Sequence, residues 1–133
     1  MKKIIVITVV TGILMIGACV KDTTVIIPKA ASTLVITKTV SFKTDLVPIF
    51  SSSCAISGCH VTGGHAPDLE ATDAYSALMD GNFINKAAPS SSVVYERLNG
   101  KLTPQMPLNA PGSDPGGLNE LLLAWITQGA NNN

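Results

Sequence analysis

Two thiols and an imidazole fall within one seven-residue stretch, Cys54-Ala55-Ile56-Ser57-Gly58-Cys59-His60. Thiols can join as a disulfide, bind a metal as thiolates, or add across carbon–carbon double bonds to form thioethers. An imidazole ligates a metal through its unprotonated ring nitrogen. Three chemistries are therefore open. A Cys54–Cys59 disulfide would leave His60 incidental. A zinc site would need Cys54, Cys59, His60 and His65 to converge from one short segment. A double thioether would attach a flat unsaturated cofactor and hold His60 beside it. Beyond the first 18 residues the chain has two methionines, Met79 and Met106, as further soft donors. Met106 stands in Thr103-Pro104-Gln105-Met106-Pro107, where prolines on both sides stiffen a loop. Met79 falls in a segment expected to be helical, where methionine usually fills core.

The Cys54–His60 stretch resembles the haem-attachment motif of c-type cytochromes, which usually puts two residues between its cysteines. Here there are four, so the extra residues must bulge out, and Ser57-Gly58 suit a bulge because glycine accepts positive φ. The resemblance implies one covalent haem c, with Cys54 and Cys59 bonded to its two vinyl groups and His60 as an axial ligand. Thr103–Pro107 resembles the methionine–proline loop of single-haem class I cytochromes, which implies Met106 as the second axial ligand. Gly64-His65-Ala66-Pro67-Asp68-Leu69 resembles the segment after the motif. There, the carbonyl of the residue matching Pro67 accepts a hydrogen bond from the ligating imidazole and fixes its tautomer. Leu122–Ala130 is similar to the C-terminal helix that crosses the N-terminal one in that family. Together these matches cover residues 44–130.

What the sequence lacks narrows the function further. No serine–histidine–acid pattern presents itself and two histidines are the entire stock, its acids are scattered singly, and no Walker or Rossmann glycine pattern occurs. With both axial positions filled, a haem iron would exchange electrons and bind no substrate. The expectation is an electron carrier and not an enzyme. An open-site haem enzyme is the lesser alternative, and a haem-free lipoprotein serving as a binding module is the main one. A net charge of 0 and 5% aromatics speak against a nucleic-acid partner.

The start of the chain reads as an address. Lys2-Lys3 precede a run of 13 residues, Ile4 to Ile16, interrupted only by Thr8, Thr11 and Gly12, too short to span a bilayer. Ile16-Gly17-Ala18-Cys19 resembles the lipobox of bacterial lipoproteins. It implies cleavage before Cys19 and lipidation of that cysteine, hence a membrane anchor in the cell envelope, facing the periplasm or the cell surface. Residues 1–18 would be the signal peptide. Their loss leaves seven basic and nine acidic residues, a net charge of −2. Residues 19–41 would be the lipidated N-terminus and an extended tether, with strand propensity at Thr33–Thr37. Residues 42–133 would be the haem domain. Its partners would be redox proteins that the sequence does not name.

That domain is expected to be all-α: about four short helices and long loops wrapped around one haem. A first helix would be capped by Thr44 and carry Leu46, Ile49 and Phe50 on one face. A second would run from Thr72 or Asp73 to Asp80 and stop at Gly81. A third would cover Val93 to Leu98, capped by Ser91 or Ser92. The last would run from about Gly117 to Gln128, with Leu118, Leu121, Leu122, Trp125 and Ile126 facing inward against the first helix. With three phenylalanines in the chain the core is small, and a buried porphyrin would supply the missing apolar plate.

Overall fold

The computed structural model describes residues 25–29 and 32–133. The expected signal peptide, residues 1–18, and Cys19 lie outside the described residues. From residue 37 onward all regular structure is helical, in keeping with the all-α expectation for the domain. Four α-helices follow one another: α1 (Val47–Ser53), α2 (Ala74–Asp80), α3 (Val93–Leu98) and α4 (Leu118–Thr127). Among the described residues no helix is long and apolar enough to cross a membrane.

Ahead of the helices, β1 (Val25–Lys29) and β2 (Ser32–Ile36) pair antiparallel, with Val25 opposite Ile36 and Pro28 opposite Thr33. This corrects the expectation of a tether that is extended throughout. The strand propensity at Thr33 finds a partner in the segment just before it. Pro28 is tolerated because a two-stranded ribbon has only edge strands. Ile36 and Val40 pack with the domain core, so the domain starts several residues before residue 42.

The first helix also begins earlier than expected. Ser41 is the cap, its hydroxyl accepting from the Thr44 N–H at 3.3 Å; Thr44 itself is exposed. Phe42–Leu46 forms one wide turn in which the Val47 N–H reaches the Phe42 carbonyl, five residues back. Pro48, which has no N–H, follows in the first turn of α1, where none is needed. The wide turn drives Phe42 into the core. Its ring lies 5.0 Å from Trp125 on α4 and 5.4 Å, edge-on, from Tyr75 on α2. The crossing of N- and C-terminal helices is therefore made by Phe42 and Trp125, ahead of the expected stripe. Leu46 is buried, Ile49 half-buried against Gly116, and Phe50 turns toward the cavity described below.

On α4 the stripe is as expected: Leu118, Leu122, Trp125 and Ile126 are buried and Leu121 is half-buried. Gly129, at φ 108°, reverses the chain, and the Ala130 N–H returns to the Trp125 carbonyl at 2.9 Å. The last residues then bind the first helical turn. The Phe42 N–H donates to Asn133 Oδ1 and the Lys43 N–H to the Asn133 carbonyl, both at 2.9 Å. Ser92 sits at the start of α3, but its hydroxyl does not cap that helix. It is fully buried and accepts from the Asn85 N–H at 2.9 Å, fixing the loop that leads into α3.

Candidate cofactor site

The four residues between the cysteines fold into a closed turn. α1 ends as the Cys54 and Ala55 N–H groups both donate to the Phe50 carbonyl, at 2.9 and 2.8 Å. The Cys59 N–H then donates to the Ile56 carbonyl at 2.9 Å, with Gly58 at φ 80° making the reversal. The His60 N–H comes back to the Cys54 carbonyl at 3.2 Å. That bond closes the base of the bulge, so the extra residues do not separate the chain on either side. Cys54 and Cys59 carry free thiols. Burial pushes the Cys54 thiol up to about 11, and the neighbouring Cys59 adds to the rise.

Past His60 the chain folds under the imidazole. The His65 N–H donates to the Cys59 carbonyl at 2.8 Å and the Leu69 N–H to the His60 carbonyl at 2.8 Å. Gly64 is forced by close approach, since a Cβ there would lie 2.3 Å from the Cys59 carbonyl oxygen. Thr62 braces the loop: its N–H donates to Glu70 at 3.0 Å, and its hydroxyl lies 2.8 Å from both Asp68 and Glu70. This folding brings two carbonyl oxygens to one ring nitrogen. His60 Nδ1 is 2.9 Å from the Pro67 oxygen and 3.1 Å from that of His65. Carbonyls only accept, so Nδ1 carries a proton and donates, and in the neutral ring the lone pair is then on Nε2. That is the tautomer a ligating histidine requires.

A second set of contacts shapes the methionine loop. The Met106 N–H donates to the Arg97 carbonyl of α3 at 2.9 Å, and the Gln105 amide donates to the Leu98 carbonyl at 3.2 Å. The Arg97 guanidinium donates to the Pro104 carbonyl at 3.3 Å. The loop is thus splinted along α3, and α3 is anchored in the core by Leu98.

The two halves enclose a cavity of about 430 Å³. Cys54, Cys59, His60, Pro67 and Met106, the five residues singled out from the sequence, all line it. Its walls are largely apolar, built from Phe50, Leu69, Phe83, Val94, Leu98 and Leu118. His65 is on the rim and exposed, and meets His60 through its carbonyl. Met79 packs against the core and is not among the lining residues. Among the described residues no three His, Cys, Asp or Glu side chains gather as a metal cluster, so the four donors a zinc site would need are not brought together. Sequence reasoning passed over Arg97, which also lines the cavity. The available signal was that it is the chain's one arginine, nine residues before Met106.

The donor set fits a haem. It offers two thiols on one turn, an imidazole with a free Nε2, a thioether on a braced loop, and apolar walls for a porphyrin face. Set against family models, curated proteins and solved structures, the chain matches none.

Proposed function

We propose that this cavity holds one covalently bound haem c and that the protein is a single-haem c-type cytochrome, an electron carrier tethered to a membrane by lipid on Cys19. The observation that carries the reading is the His60 imidazole. Its Nδ1 is tied to two carbonyls, and it shares one apolar cavity with both thiols and Met106. The bound haem would supply an iron that cycles between Fe(II) and Fe(III). Cys54 and Cys59 would hold the ring through thioethers, and His60 Nε2 and Met106 Sδ would be the side-chain donors to the iron. The Pro67 carbonyl would keep the imidazole oriented through both oxidation states, limiting reorganisation on electron transfer. The apolar walls and a soft sulfur donor both favour the less charged Fe(II) state, so the potential should exceed that of a bis-histidine iron. Electrons would pass at the cavity mouth to redox proteins of the cell envelope, periplasmic or surface-exposed.

A Cys54–Cys59 disulfide in a haem-free binding module would leave both the paired Nδ1 and the splinted Met106 loop without a role. The test is an optical redox titration of the purified protein. A single reversible one-electron wave, with a sharp Soret band that shifts on reduction, is the expected result. A colourless protein with no wave would refute the reading.

A further inference from the structure

We propose that the β1–β2 hairpin shortens the membrane tether and holds the domain close to its own membrane, so that its partner is a redox protein bound to that same membrane. The inference rests on the lipid-anchor and haem readings above. Ile36 packs with the domain core, and Cys19 lies 17 residues before it. A fully extended chain covers about 3.3–3.6 Å per residue, so a tether without the hairpin would reach roughly 60 Å from the core. The hairpin takes up most of that length. Val25 stands opposite Ile36, and both strands lie against α4. Paired residues of an antiparallel ribbon are about 5 Å apart, so the chain from the membrane meets the domain already at Val25. Val25 is six residues after Cys19. That stretch covers about 20 Å at most.

The point of entry is fixed as well. Gln128, just past the C-terminal end of α4, grips the chain that leaves β2. Its amide nitrogen donates to the Lys38 carbonyl at 3.2 Å, and its amide oxygen accepts from the Val40 N–H at 2.8 Å. The α4 residue that lines the cavity is Leu118, at the other end of the helix. A helix rises 1.5 Å per residue, which puts about 15 Å between the two ends. Leash, ribbon and helix together keep the cavity within roughly 40 Å of the bilayer surface, against roughly 75 Å without the hairpin. Confinement to a thin layer raises the encounter rate only with a partner confined to the same layer. For a freely diffusing partner a short leash offers no gain, because the bilayer blocks approach from one side.

The test takes two readouts on the lipidated, haem-loaded protein. The first is its height above a supported bilayer of phosphatidylethanolamine and phosphatidylglycerol, measured by neutron reflectometry for the wild type and for L34P/V35P. Successive strand residues turn their N–H groups to opposite sides, so one of the two prolines removes a bond to β1. A flexible chain spans about 5–6 Å times the square root of its length, so lengthening the leash from six residues to 17 should raise the protein layer by about 10 Å, with the haem spectrum unchanged. Equal heights overturn the role of the hairpin. The second readout uses membranes of cells that make the protein, washed free of soluble proteins. After oxidation by ferricyanide and its removal, with NADH as reductant, the haem should be re-reduced at a rate that does not fall when the membranes are diluted. Re-reduction that is lost on washing and returns with the soluble fraction overturns the assignment of the partner. A wild-type protein that does not stay on the bilayer overturns the anchor reading instead, and one without haem overturns the cytochrome reading.

Discussion

His60 Nδ1 donates to the carbonyl oxygen of Pro67 at 2.9 Å, seven residues further along the chain. The relationship depends on backbone, so no side-chain replacement at position 67 removes the acceptor. It can be disturbed through Gly64, where any Cβ meets the Cys59 carbonyl at 2.3 Å. Gly64→Ala must push the loop away from Cys59, loosening both carbonyls around the imidazole. The expected cost is about 1–3 kcal/mol of stability, read by denaturant unfolding, with a reduced yield of haem-loaded protein. Gly63→Ala, which meets no neighbour but sits at φ 76°, controls for backbone strain alone.

The two methionines separate cleanly. Met106→Ala should keep both thioethers but open one axial position. The iron should turn high-spin or take up water, bind added cyanide or carbon monoxide readily, and show a lower potential. Met79→Leu should leave the spectrum unchanged and cost less than about 1.5 kcal/mol, because the swap nearly conserves volume in a core position. Absorption spectra of the two variants side by side check this; a spectral change in Met79→Leu alone would make Met79 the ligand.

Much of this site was legible because its groups are local in sequence. The turn from Cys54 to Leu69 is closed by short-range bonds, and proline and glycine mark its reversals. The stripe on α4 was legible because ten residues carry a regular period. Three features were not. The Ser41 cap and the wide turn at Phe42 depend on where Phe42 meets Trp125, a contact between opposite ends of the domain. The pairing of β1 with β2 carries only a weak local preference, and Pro28 argues against it. Arg97 becomes notable only once Pro104 and Met106 fold back onto it, which nothing local in the sequence foretells.

Acid should weaken the start of the domain. Asp45 accepts from Lys38 at 2.7 Å and from the Ser41 N–H at 2.8 Å. Burial works to raise its pKa, but the Lys38 hydrogen bond and charge and the Ser41 N–H together bring it below its ordinary 3.8. The folded state thus keeps this charge to lower pH than the unfolded chain does. Its contribution is complete above pH 3.8 and is lost as pH falls through the lower folded value. Lys38 is largely exposed, so the effect should stay under about 1 kcal/mol. The stability gap between wild type and Asp45→Asn, measured by urea unfolding, should shrink toward zero as pH drops below that range.

The proposed lipid anchor is testable apart from the proposed haem. Cys19→Ser should move the protein from the membrane fraction to the soluble one while its folded domain and colour are unchanged, because the lipid and the cavity involve different cysteines. Fractionation followed by detection of the chain checks it. A variant that stays with detergent-extractable membrane would count against lipidation at Cys19.

Covalent haem attachment is read most directly from the mass of the proteolytic peptide that contains both Cys54 and Cys59, taken from protein purified after export and denatured before digestion. Addition of a thiol across each vinyl group puts its sulfur on one vinyl carbon and its hydrogen on the other, and loses no atoms. The peptide should therefore be heavier than its sequence by one whole haem and should absorb in the Soret region. Cys59→Ser should abolish that product or reduce it to a poorly recovered single attachment. A wild-type peptide at its plain sequence mass, or lighter by two hydrogens as a disulfide, would contradict the assignment of Cys54, Cys59 and His60 to a haem.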